Sequence, residues 1–391
     1  MRPVKLAVIT AAVLAVLAVP APSAAGADTG ANDPSPYQCL IDEVAAAPRP
    51  DLPEDQTPIP GHVRTPIPGI VLDVRTPGTR FTGATGRFAL GGGRLRPGDA
   101  FRTASVTKTF TAVAALRLVE QGRLRLDDPI GRHLDPALMK KIRYGSRITL
   151  RQLLEHTSGI ADYVTDDPSW MSEVFAGPHR IWTPRELAER GLRLPPAFQP
   201  GKGHHYSDTG YVLAGLIIEE AAGKRLHQVY REQILQPLGL RATYLELWEP
   251  HRGRLSHPYV LDLDFRRWNP TYDTFGGGGL VSTGADLARF IRSLFEGRVF
   301  EHAATLEAML RAAPHSEGGY GLGIMRLQEG ETTLWGHLGA HGSFMLYDPA
   351  AKISITGTVN QMFTGDKQAE SEIISAAYRI AAGAKAPSCP V

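Results

Sequence analysis

Ser105-Val106-Thr107-Lys108 opens a run of helical spacing that continues through residues 106–121 and stops at Gly122. Such a helix sets the serine and the lysine one turn apart on the same face. A lysine so placed takes the serine's proton when its amine spends time neutral, and the helix N-terminus favours the oxyanion that results. A chain of this size carries about one Ser-x-x-Lys by chance, so the spacing alone leaves a solvated helical surface open. Here it is the only such pair among nine lysines, and its surroundings (Phe101, Phe110, Val113) are apolar.

Further along, Tyr206-Ser207-Asp208 lies 101 residues after Ser105, just before a second helical run at 211–222 that ends at Gly223. A tyrosine there packs with its hydroxyl at the surface or, facing Lys108, relays the serine proton to a leaving group. Thr183-Pro184-Arg185-Glu186 is a capping box with proline at the first helical position, and Thr283 caps a run at 283–296. Strand patterns stand at the two ends: 70–74 and 80–85, then 322–327, 332–335, 343–347 and 353–359, followed by a last helix at 368–382. His337-Leu338-Gly339 falls between the last strands, where an edge backbone is able to hydrogen-bond an extended substrate. Strands at both ends with helices between them predict an α+β fold, an antiparallel sheet built from both termini with an inserted helical lobe.

The chain has 391 residues, with 42 Lys+Arg against 40 Asp+Glu. That balance lacks the basic excess of a nucleic-acid binder. Arg2 and Lys5 precede an apolar run at 6–19, too short to span a bilayer, and Ala24-Ala25-Gly26-Ala27 offers an Ala-x-Ala cleavage site. Residues 1–27 are therefore expected to be a signal peptide removed near Ala27, giving a secreted protein. Residues 28–67 read as a Pro-rich segment with one short helix at 38–47, and 68–391 as the catalytic domain. The two cysteines are too few for a disulfide scaffold. A fold that brings the chain ends together gives Cys39 and Cys389 a reason to bridge in an exported protein, the alternative being two free thiols.

The three elements in this order resemble the serine β-lactamase and penicillin-binding-protein family, most closely its secreted D-alanyl-D-alanine carboxypeptidase and class C β-lactamase branch, with Ser-x-x-Lys, Tyr-x-Asn and Lys-Thr-Gly or His-x-Gly. Leu153-Leu154-Glu155-His156-Thr157-Ser158-Gly159-Ile160 is similar to the family's His-Thr-Ser-Gly segment. Gln236-Pro237-Leu238-Gly239-Leu240, Gly278-Gly279-Leu280-Val281-Ser282-Thr283 and Tyr320-Gly321-Leu322-Gly323 match as well, so that the resemblance runs from about Pro68 to Asn360. It implies a β-lactamase/transpeptidase-like fold with Ser105 as the acylated nucleophile, Lys108 as its base and Tyr206 as the proton shuttle. His337 is implied as the electrostatic member opposite them, the backbone N–H groups of Ser105 and Ala340 as the oxyanion hole, and Gly339 as part of the substrate-binding strand.

Three positions depart from the family pattern. Asp208 stands where the family usually has Asn; it favours a charged Lys108, or attracts a substrate amine. Leu338 and Ala340 lack hydroxyls that would hold a terminal carboxylate, leaving Arg326 as the nearest cation. His337 replaces the lysine of many relatives and is only partly charged near neutrality. The implied activity is that of a secreted D-alanyl-D-alanine carboxypeptidase-like peptidase on cell-wall-type peptides. An esterase, a β-lactamase or a D-amino-acid-specific aminopeptidase or amidase are the alternatives among enzymes, and a penicillin- or peptide-binding module is the non-enzyme one. The substrates implied are small peptides, esters or β-lactams, with no nucleic acid, no membrane span, no cofactor and a monomeric state. His337 and His341, four apart across Gly339, and the adjacent His204 and His205 lack a third ligand, so no metal is expected. Gly276 to Gly279 has no following Lys-Ser/Thr and reads as a loop close to the site rather than a phosphate cradle. A Gly-x-Ser-x-Gly elbow is absent.

Overall fold

In the strand Gly69–Arg75 (β1), Ile70, Leu72 and Val74 alternate with Val71 and Asp73, and all five are buried. A strand buried on both faces needs a layer of helices on each side. The computed structural model describes residues 35–48, 65–361, 367–384 and Cys389; the leader expected at 1–27 and most of the 28–67 segment lie outside them. The other strands of the main sheet are β2 (Arg80–Gly86), β3 (Met325–Glu329), β4 (Thr332–Gly339), β5 (Ser343–Asp348) and β6 (Ile353–Val359). Their order is β2-β1-β6-β5-β4-β3, antiparallel throughout. Ile70 opposite Val359 and Val74 opposite Ile355 join the two ends of the chain inside this sheet, as expected.

Among the described residues, α1 (Pro36–Ala46), α4 (Gly284–Phe295) and α5 (Lys367–Ala381) flank it, while α2 (Thr107–Glu120) and α3 (Asp208–Ala222) pack on each other in the lobe. Leu40, Ile41 and Val44 of α1 and Ile373 and Ala377 of α5 pack on Ile70, Leu72, Phe344 and Leu346 from one side. From the other, Leu287, Phe290 and Ile291 of α4 join Val71, Met345 and Tyr347 to the core of the helical lobe. Each such aliphatic side chain contributes roughly 1.5–3 kcal/mol by burial. Lobe and sheet meet at α2, where Phe110 stacks on Phe290.

Two strand expectations change. The pattern at 322–327 starts too early: the N–H groups of Leu322 and Gly323 donate to Met309 and Leu154 in the lobe, so β3 begins at Met325. The pattern at 332–335 stops too soon, since β4 continues through His337 to Gly339. His337-Leu338-Gly339 is thus strand rather than a connection, although β3 pairs with β4 only as far as Gly336 and leaves that edge open beyond it.

Cys39 of α1 and Cys389 form a disulfide with Cα atoms 5.3 Å apart, across 350 residues of sequence. Replacing both with Ser is expected to lower stability by about 2–4 kcal/mol, read as a lower thermal midpoint that reductant reproduces in the wild type; an unchanged midpoint contradicts this clasp. Among the described residues no helix is long and apolar enough to cross a membrane.

Candidate active site

Ser105 stands in a 3-10 turn, Ala104–Val106, that leads into α2. The turn is held against the sheet from below: Ser343 Oγ on β5 donates to the Thr103 carbonyl at 2.7 Å. Gly339 makes that contact possible, because a Cβ there would lie 2.4 Å from the Thr103 oxygen and 2.2 Å from Ser343 Oγ. The end of β4 and the following Ala340 are thereby brought to the serine turn.

Lys108 is fully buried. Its Nζ donates to Ser105 Oγ at 3.0 Å, to the Gly277 carbonyl at 2.8 Å and to Asp208 Oδ1. Three acceptors match the three protons of an ammonium, and the adjacent carboxylate balances its charge. Gly277 is part of the glycine-rich loop expected near the site; a side chain there would meet Asp208 Oδ1 at 2.7 Å. Tyr206 completes the group: its ring lies 4.8 Å from Lys108 Nζ and its phenol neighbours the Ser105 side chain. Burial, then the Asp208 charge, push the phenol well above its usual range, so it stays protonated. Ser207 caps α3 by accepting the Gly210 N–H, which fixes where Tyr206 and Asp208 stand.

His337 lies across from these groups, fully buried on β4. Its Nδ1 is 2.7 Å from the Leu338 carbonyl and its Nε2 is 3.0 Å from the Tyr320 hydroxyl. The carbonyl only accepts, so the proton is on Nδ1 and Nε2 accepts from Tyr320. Burial, followed by the Lys108 charge, pushes the imidazole down to about 3. The expectation of a partly charged histidine is corrected: His337 is neutral, because its desolvation is complete. Leu338 alternates to the opposite face, where it packs toward the layer formed by α1 and α5. Arg326 pairs with Trp335 through the backbone of β3, and its side chain is exposed at the sheet edge beside Gly318 rather than among the buried groups. His204 and His205 diverge: His205 pairs with Asp166 at 2.7 Å, while His204 packs near Tyr320.

Sequence reasoning missed two carboxyls behind Asp208, Asp162 fully buried and Asp273 partly buried. Asp162 accepts the Asp208 N–H at 3.0 Å and the Thr165 hydroxyl at 2.9 Å, and burial and the Asp208 charge push it up to about 7. The same two causes push Asp273 up to about 7. Their nearness to the Gly159 and Gly276 turns was the only signal. For Asp273, a folded value above the ordinary one means that its contribution to stability is complete at acid pH and is lost as pH rises through about 7. Asp273→Asn is therefore expected to gain about 1–2 kcal/mol over the wild type between about pH 5 and pH 8. Equal shifts of the thermal midpoint at both pH values contradict this.

A family model described as Beta-lactamase matches residues 58–378. Over 227 residues the chain is 26% identical to the D-alanyl-D-alanine-carboxypeptidase/endopeptidase AmpH of Escherichia coli (strain K12), covering 56% of each chain, so it spans about half the length of that relative. It is 30% identical over 324 residues to the lovastatin esterase of Penicillium rubens, covering 65% of this chain and 78% of the esterase. Among solved structures, a D-stereospecific amidohydrolase from Streptomyces sp. superposes with a TM-score of 0.72 at 30% identity, over 88% of this chain and 97% of that one. The sheet built from both termini and the Ser105, Lys108 and Tyr206 cluster at its junction with the lobe agree with these likenesses: the chain belongs to the Beta-lactamase family.

Proposed function

We propose that this chain is an exported serine hydrolase working through an acyl-enzyme on Ser105, with a catalytic domain at 68–391. The observation that carries this is a single hydroxyl, Ser105 Oγ, which accepts from Lys108 Nζ at 3.0 Å, with the Tyr206 ring 4.8 Å from that same Nζ. Lys108 acts in its free-amine form, having given its extra proton to solvent. The amine takes the Ser105 proton as Oγ attacks an acyl carbonyl. Tyr206 gives its proton to the leaving group and is reprotonated from Lys108, and water then deacylates Ser105. The N–H groups of Ser105 and Ala340 receive the oxyanion. Export is supported by the leader-like first 27 residues and by the Cys39–Cys389 disulfide.

Peptidase, esterase and amidohydrolase relatives share acyl transfer, and a carboxypeptidase-like action on small cell-wall-type peptides is one form of it. The electrostatics favour a second: with Lys108 matched by Asp208 and His337 neutral, ester and amide donors without a terminal carboxylate, including D-aminoacyl amides, suit the site better. Release assays on D-alanyl-D-alanine peptides, p-nitrophenyl esters and D-aminoacyl anilides decide among these, and no turnover of any of them sinks the hydrolase reading. Asp208→Asn removes a charge that favours the ammonium, so the rising limb of kcat/KM is expected to move to lower pH by about 1–2 units; an unmoved limb contradicts the hold of the Asp208 charge on Lys108.

A further inference from the structure

The short helix Leu150–Leu154 ends in a turn whose geometry is specific. Thr157 N–H donates to the Gln152 carbonyl at 2.9 Å and His156 N–H to that of Leu153 at 3.4 Å, with His156 at φ +61°. This is a Schellman ending, and its left-handed position ordinarily goes to Gly, or to Asn. A histidine there adopts a conformation that its Cβ disfavours, which points to a use for the side chain.

That use is visible at Tyr206. The His156 carbonyl accepts the His205 N–H at 2.9 Å, and its ring Nδ1 accepts the Ser207 N–H at 3.0 Å. One residue thus grips the backbone on both sides of Tyr206. Its ring also lies 4.3 Å from the Tyr206 ring and 4.8 Å from that of Tyr320, whose hydroxyl holds His337. Burial, reinforced by the Lys108 charge, keeps the imidazole well below its usual pKa, so Nδ1 remains an acceptor.

We propose that His156 is a positioning residue for Tyr206: its left-handed backbone and its ring Nδ1 fix the 205–207 segment so that the phenol stays beside Ser105 and meets the leaving group. The proposal rests on the acyl-enzyme reading, with Tyr206 as the proton shuttle. A shuttle matters for a leaving group that must be protonated, such as an anilide nitrogen, and hardly for p-nitrophenolate, which departs as an anion.

The test compares kcat/KM for an anilide and a p-nitrophenyl ester of the same acyl group, each rate normalised to the enzyme that a β-lactam acylates. His156→Phe keeps an aromatic ring but removes the acceptor; its anilide-to-ester ratio is expected to fall about 30-fold or more, in the direction of Tyr206→Phe. His156→Asn keeps an acceptor near Nδ1 on a side chain that tolerates positive φ, and its ratio is expected to stay within about fivefold of wild type. An unchanged ratio in His156→Phe, whatever its absolute rates, overturns the proposal, as does a ratio in His156→Asn as low as in Tyr206→Phe. Should His156→Phe not fold, the His156→Asn ratio decides by the same limits. Wild-type turnover that survives Ser105→Ala fails the acyl-enzyme reading instead.

Discussion

Ser105→Ala is expected to lower kcat/KM by about 10⁴–10⁶ while leaving the fold intact, the scale on which losing a nucleophile disables a unit of mutually dependent groups. Ser105 is only partly buried, and the change removes a single oxygen from its side chain. Its loss leaves Lys108 with two of its three acceptors, Asp208 and Gly277, so the charge stays paired and one N–H loses its partner. The thermal midpoint should therefore move little, and a variant that loses activity only by unfolding would not count in favour of the mechanism.

Lys108→Met is the second large effect, and it differs in kind. The substitution removes the base and leaves the Asp208 carboxylate buried without its cation, a loss of about 3–5 kcal/mol in stability on top of nearly all activity. Asp162 and Asp273 worsen the imbalance, since each adds negative charge beside Asp208 as it ionises near pH 7. The deficit is thus expected to shrink in acid, where the carboxyls take up protons. Adding Asp208→Asn to Lys108→Met should recover much of the stability and none of the turnover. Thermal melts of the two single variants and the double variant, read as a cycle beside initial rates, check this; equal melting of Lys108→Met and the double variant contradicts the buried pair.

The parts of the molecule that were legible in the sequence are those fixed by local pattern. The strands around Ile70 and Ile353, the helices after Ser105 and Ser207 and the Cys39–Cys389 bridge follow from periodicity, caps and the meeting of the chain ends. What was not legible depends on partners far apart in sequence. His337 reads as a half-charged imidazole until its burial and its bond to the Tyr320 hydroxyl are known. Asp162 and Asp273 look like ordinary loop acids until the fold sets them behind Asp208, and Arg326 looks near the site until its side chain turns out to solvent. His156 was visible as part of a motif, but its grip on Tyr206 arises from a left-handed turn that no residue-type pattern announces.

In this mechanism Ser105 carries the acyl group. Intact-protein mass spectrometry after incubation with a fluorescent penicillin, followed by peptide mapping, locates that group. The expected result is one adduct per chain on the peptide that contains Ser105, absent from Ser105→Ala. An adduct that persists in Ser105→Ala, or that maps to another residue, would contradict it.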